Sequence, residues 1–168
     1  MMYKRGFVNV CWSAQDITAL EFVRHEEPLS GFNLESSVDE CRYSSIGASI
    51  YRGLPDSIDN NMISNNFDWL DNKVYGVTLM NPGDILPLHR DRYKVYIERN
   101  KIQDIDNVVR CIIFLENRKH GHFLEIDGTN ISDWKAGEWV SWKGSTLHLA
   151  CNLGNSPRYT LQITGQLL

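Results

Sequence analysis

The sequence predicts a mainly β fold with flanking helices, built on a double-stranded β-helix (a jelly roll of cupin-like form) of about eight strands. Two observations lead there. From residue 73 onward, short runs rich in β-branched and aromatic residues recur, at 73–80, 85–90, 108–115, 122–127, 130–134, 138–142, 147–153 and 158–165. Turn signals separate them: Pro82-Gly83, Gly121, Asp127-Gly128, Ala136-Gly137, Lys143-Gly144 and Gly154-Asn155. Eight short strands at this spacing suit two facing sheets.

The region before residue 73 is mixed. Residues 3–12 read as a strand. Ser13 is placed to cap a helix over 14–26, with Ile17, Leu20 and Val23 on one face and Pro28 and Gly31 as its stop. The Ser-, Gly- and Tyr-rich stretch 33–55 reads as loop with short extended pieces. A weaker helix is expected over 59–70, with Met62, Ile63 and Trp69 as its apolar residues. The 168 residues suit one domain, with 1–72 as a supporting region and 73–168 as the jelly-roll core.

Composition excludes several classes. The chain is 42% apolar and 23% charged, as globular domains are, with no run of membrane-spanning length. A net charge of −4 weighs against nucleic acid as a partner, because phosphate neutralisation needs a basic face. Cys11, Cys41, Cys111 and Cys151 include no C-x-x-C pair, and Cys111 and Cys151 sit in apolar runs as buried thiols. With no apolar segment behind Met1-Met2-Tyr3-Lys4-Arg5, a reduced cytoplasmic setting is expected.

The chemistry concentrates at three points. His89 and Asp91 close a predicted strand, and two residues apart on an extended chain they project to the same side. A second imidazole would complete a two-histidine, one-carboxylate facial triad with three open positions, the arrangement of non-haem iron(II) oxygenases. His148, on the seventh predicted strand, supplies it. Arg158 follows ten residues later across the 154–157 turn, where its planar fork can hold a carboxylate. Chance gives about 0.3 His-x-Asp pairs in a chain with five histidines, so the pair alone is weak. A later histidine and arginine, each on its own strand, make the combination specific.

With these residues in view, the stretch 74–166 resembles the Fe(II)/2-oxoglutarate-dependent oxygenases. It is most similar to the compact single-domain type, distantly like aspartyl/asparaginyl β-hydroxylases. Trp134-Lys135-Ala136-Gly137-Glu138-Trp139-Val140, His148-Leu149-Ala150-Cys151-Asn152-Leu153-Gly154 and Pro157 to Gly165 carry the likeness. The resemblance implies iron(II) on His89, Asp91 and His148, and the distal carboxylate of the cosubstrate 2-oxoglutarate on Arg158. It also implies consumption of dioxygen, release of succinate and carbon dioxide, and hydroxylation of a substrate such as a protein or peptide side chain, an amino acid or another small molecule. Nothing before residue 72 matches the family.

Other residues have two readings each. Arg110, inside the apolar run 108–114, binds a cosubstrate or substrate carboxylate or else pairs with a nearby acid. Thr160 hydrogen-bonds the cosubstrate or fills a polar strand face. On 158–164, Arg158, Thr160, Gln162 and Thr164 alternate with Tyr159, Leu161 and Ile163, and the polar face is either wet or turned into a cavity. Trp142 reads as packing beside the site, His122 as a turn or surface residue or else as lining the cavity, and His25 and His120 as solvated. Arg90 and Arg92 read as exposed charge or as steering groups for an acidic substrate. The insert 93–107 is a candidate lid. Two further classes compete: a cupin-like metalloprotein that does not use 2-oxoglutarate, and a non-catalytic jelly-roll binding module.

Overall fold

The computed structural model describes residues 3–26 and 45–168. Its strands are β1 (Tyr3–Phe7), β2 (Val23–Glu26), β3 (Ser45–Arg52), β4 (Leu70–Met80), β5 (Asp84–His89), β6 (Val108–Phe114), β7 (His122–Ile126), β8 (Thr129–Asn130), β9 (Glu138–Lys143), β10 (His148–Asn152) and β11 (Arg158–Leu167). Its helices are α1 (Ala14–Thr18), α2 (Asn60–Asn66) and α3 (Lys94–Asn100), with a 3-10 turn at Ile105–Asn107.

The strands form a mainly β jelly roll. A major sheet runs β2-β3-β4-β11-β6-β9-β1 and a minor sheet β5-β10-β7-β8. They join where β3 pairs in parallel with β5, Ser45 opposite Asp84 and Ile46 opposite Ile85. Every other pairing is antiparallel. The strands β4 to β11 correspond to the eight runs of the sequence. β1, β2 and β3, all before residue 73, pair into the major sheet.

The central strands of the major sheet are buried on both faces, which gives them two distinct sides. Outward, Val109, Cys111 and Ile113 of β6 and Leu161 and Ile163 of β11 pack with Val8, Trp12, Ile17, Ile63 and Phe67 from the N-terminal region. Inward, Ile112 and Phe114 join Met80, Leu124, Ile126, Trp134 and Trp142 between the sheets. The polar side of β11 therefore faces in, because the helices claim its apolar side.

Several boundaries differ from the sequence reading. Ser13 does cap α1, in a reciprocal box with Asp16, but the helix ends at Thr18 rather than at residue 26. Residues 23–26 form β2, whose ladder with β3 replaces the helix. Val23 is 72% exposed, while Leu20 and Phe22 reach the core from non-helical backbone. The predicted stop at Pro28 and Gly31, Cys41, and the 33–44 part of the predicted loop lie outside the described residues. Residues 45–52 of that loop are a full strand. The first strand ends at Phe7, not at residue 12. The helix expected over 59–70 stops at Asn66, because Leu70 is drawn into pairing with Leu167. The strand expected at 130–134 is a two-residue hairpin arm. Beyond it, Ile131 and Trp134 are held by side-chain packing, with Trp134 stacked on Phe114 at 4.3 Å. The insert 93–107 carries α3 and is anchored by buried Tyr96, whose hydroxyl donates to Asn72 O at 3.1 Å.

Two glycines with positive φ test this architecture. At Gly121 (φ +82°) a Cβ would lie 2.1 Å from Gly154 N, whereas at Gly128 (φ +73°) it would meet open space. Gly128→Ala should cost about 1 kcal/mol. Gly121→Ala should cost about 3 kcal/mol and lower Tm by roughly 6–12 °C, measured by thermal unfolding. Equal losses in the two variants would contradict the close approach of the 121 and 154 turns.

Candidate metal centre

His89 and His148 come from adjacent strands of the minor sheet and stand directly opposite one another in the β5–β10 ladder. Opposed residues on one face bring their side chains within contact, and here the ring centroids lie 4.4 Å apart. Asp91 follows two residues after His89, just beyond the end of β5. Its Oδ1 is 3.4 Å from His89 Nε2 and its Oδ2 is 3.8 Å from His148 Nε2. One donor atom from each of the three residues falls within 4.8 Å of the others. Such a spacing suits one cation of transition-metal size.

The protonation states favour binding. His89 Nδ1 contacts Pro87 O at 2.6 Å and His148 Nδ1 contacts Thr146 O at 3.0 Å. A carbonyl only accepts, so each Nδ1 carries a proton, and each Nε2 is the ring atom turned toward Asp91. Burial pushes the His148 imidazolium down to about 4, so this ligand is neutral at physiological pH. Burial alone would raise the Asp91 carboxyl. The Arg110 guanidinium and the two histidines outweigh it and hold the carboxyl well below its ordinary value.

These residues open onto a cavity of about 340 Å³ between the sheets. Arg158, Thr160 and Gln162 of β11 line it, with Thr78 and Met80 of β4 and Leu124 of β7. Arg158 is 3% exposed. Its Nη1 donates to Phe123 O at 2.9 Å and rests on Met80 Sδ at 3.7 Å, while its buried Nε has no hydrogen-bond partner. Burial lowers its pKa to about 10, so it stays charged at neutral pH. No carboxylate lies within ion-pair distance of it among the described residues. A buried guanidinium without a counterion is costly unless a ligand supplies one.

Arg110 lines the same cavity, but its guanidinium is committed. Nε and Nη2 donate to Asp91 Oδ2 at 3.3 and 2.8 Å, and Nη1 donates to Gln162 Oε1 at 3.0 Å. Of its two readings, the ion pair with a nearby acid is the geometry present. Thr160 is buried on the cavity wall beside its ladder partner Thr78, whose hydroxyl has no partner. Trp142 packs 4.9 Å from the His148 ring. His122 is not a surface residue: it is 1% exposed, with Nε2 on Ser156 O, and it does not line the cavity. His25 lies on β2 at the cavity, exposed, and His120 is exposed in the turn before β7. Arg90 and Arg92 also border the cavity, and Arg90 Nε donates to Ser145 O at 2.7 Å.

Sequence reasoning passed over Gln162 and Tyr93 as partners of Arg110. Gln162 was visible on the same alternating face as Arg158. Tyr93, whose ring lies 5.2 Å from the Arg110 guanidinium, gave no signal, because the two are seventeen positions apart across α3 and the 3-10 turn.

No family model matches the sequence, and no curated protein matches it. Solved structures do match. They include a Pseudomonas putida prolyl-4-hydroxylase (16% identity over 99% of this chain and 92% of the other, TM-score 0.56). They also include an oxidoreductase of the 2OG-Fe(II) oxygenase family from Burkholderia pseudomallei (10% identity, 98% and 85%, TM-score 0.58). A third is the non-heme α-ketoglutarate-dependent epimerase SnoN of nogalamycin biosynthesis (10% identity, 98% and 76%, TM-score 0.60). The chain therefore shares its fold with 2OG-Fe(II) oxygenases. No helix among the described residues is long and apolar enough to cross a membrane.

The centre predicts ligand-linked stability. Mn(II) at a hundredfold excess over its Kd should stabilise the protein by about 2.7 kcal/mol, or roughly 5–11 °C in Tm. His89→Ala and Asp91→Ala should lose that increment. An increment of wild-type size in both would remove these residues from the metal site.

Proposed function

We propose that this chain is an Fe(II)- and 2-oxoglutarate-dependent dioxygenase that hydroxylates an amino acid, a protein or peptide side chain, or another small molecule. The observation that carries the reading is one cavity with two demands. At one end stand two imidazole Nε2 atoms and an ionised carboxylate. At the other stands Arg158, buried, charged and without an acidic partner among the described residues. A dicarboxylate that chelates a metal at one end and presents a carboxylate at the other meets both. A metal-binding jelly roll that does not use such a molecule would leave Arg158 without a counterion, and a non-catalytic module would need neither feature.

His89, Asp91 and His148 would hold the iron, and three ligands leave three of its positions open. Iron(II) and dioxygen supply the oxidation, in which 2-oxoglutarate yields succinate and carbon dioxide and the substrate gains a hydroxyl group. The chain's own residues supply position and dryness. The Nδ1–H contacts to Pro87 and Thr146 fix both rings, so their Nε2 atoms converge without further reorganisation. Arg158 anchors the distal carboxylate, which orients the cosubstrate along the cavity. Thr160, two residues further on the same face, offers its hydroxyl to that carboxylate. Met80, Ile112 and Leu124 present apolar surface that keeps water from the centre.

The test is succinate release with iron(II) and 2-oxoglutarate, screened against amino-acid and peptide pools. His89→Ala and Asp91→Ala should abolish it. Arg158→Ala should raise the 2-oxoglutarate KM roughly 10- to 150-fold, from the loss of about 1.5–3 kcal/mol of charge-assisted hydrogen bonding, with Mn(II) affinity preserved. An unchanged KM would give Arg158 another task, and a protein that binds neither iron(II) nor 2-oxoglutarate would end the enzyme reading.

A further inference from the structure

We infer that Arg110 is a positioning residue that holds Asp91 as a one-oxygen ligand and so keeps a coordination position open for the cosubstrate; this rests on reading the site as an iron(II) centre. The three candidate ligands are not fixed equally. His89 and His148 are ladder partners, and each ring is pinned through Nδ1 to a carbonyl two residues back. Asp91 lies past the end of β5, where no ladder fixes its backbone. Its carboxylate is instead held from the opposite sheet.

The holding is directional. Arg110, on β6 of the major sheet, places Nε and Nη2 on the same oxygen, Oδ2, at 3.3 and 2.8 Å. Two N–H donors occupy the acceptor directions of that oxygen. Oδ1, 3.4 Å from His89 Nε2, receives no bond from the guanidinium. The fork is itself braced: Nη1 donates to Gln162 Oε1 at 3.0 Å, and the Tyr93 ring lies 5.2 Å from the guanidinium carbon. A carboxylate free to turn can bind a cation through both oxygens, and one capped on Oδ2 offers only Oδ1. Two-oxygen binding would take one of the three positions left by a facial triad, whereas a chelating cosubstrate and dioxygen together need all three.

The experiment counts open positions without turnover. Mn(II) bound to the protein relaxes solvent protons in proportion to its exchangeable waters. In Arg110→Gln, Mn(II) should bind at least as tightly as in wild type. The relaxivity per bound ion should fall by roughly a third, three exchangeable waters becoming two. 2-Oxoglutarate should then bind the Mn(II)-loaded variant at least tenfold more weakly. Arg110→Lys, which keeps the charge but not the fork, should shift the same way by less. Should Arg110→Gln fail to fold, Gln162→Met removes only the brace and should lower the relaxivity in the same sense. Weaker 2-oxoglutarate binding with unchanged relaxivity would overturn the proposal by making Arg110 a direct cosubstrate contact. Lost Mn(II) affinity with unchanged relaxivity per bound ion would overturn it by making Arg110 a general support. Wild-type protein that binds no Mn(II) would remove the iron-site reading, and the proposal with it.

Discussion

Burial of β6 and β11 on both faces constrains the polar side chains that these two central strands carry. A polar group removed from water needs a partner, and a charged one needs a counterion. On β6 and β11 the outward residues meet the apolar layer built from Val8, Trp12, Ile17, Ile63 and Phe67. The inward residues include Arg110, Arg158, Thr160 and Gln162. Those four can exist there only because a cavity separates the sheets and because each finds, or awaits, a complementary group. Arg110 finds Asp91 and Gln162, while Arg158 meets a carbonyl, a thioether and the face of Trp134. The same physical requirement thus separates an arginine paired with an acid from one that has no acidic partner among the described residues.

The candidate ligands draw on different kinds of order. The histidine pair is a property of the minor sheet: two opposed ladder positions with ring orientations set by neighbouring carbonyls. The carboxylate is a property of the contact between sheets, since Asp91 follows a minor-sheet strand and Arg110 sits in the major one. The three candidate ligands thus belong to the minor sheet, and the ion pair that holds the carboxylate crosses to the major sheet. Apolar residues of the N-terminal region cover the far side of the strands that bear Arg110 and Arg158, while His25 of β2 and Gly47, Ala48 and Ile50 of β3 line the cavity itself.

Much of the jelly roll was legible because its signals are local. Alternation, β-branched runs and glycine turns are written within a few residues, and strands β4 to β11 follow them. The errors fall where a distant strand competed with a local preference. Residues 20–26 carry a helical apolar spacing, yet β3 offers 23–26 a ladder. Leu70 continues an apolar helix face in sequence, yet Leu167 recruits it to β4. Residues 131–134 look like strand, yet burial of Ile131 and Trp134 fixes them without a ladder. His122 follows a turn glycine, which suggested the surface, but its strand turns it inward.

The sequence by itself determined which residues bear the candidate chemistry: His89 and Asp91 at one strand end, His148 on another strand, Arg158 ten residues beyond. Period-two geometry ties such spacings to shared faces, so no tertiary information was needed to nominate them. It left open whether the polar side of β11 met water or a cavity, and whether Arg110 bound a ligand or an acid. Only the tertiary structure decided these, because both depend on what packs opposite. Once the N-terminal residues covered the apolar side of β11, its polar side had to face inward. Once the sheets closed, Asp91 came within 2.8 Å of Arg110, a contact between a loop and a strand nineteen residues apart that no local pattern encodes.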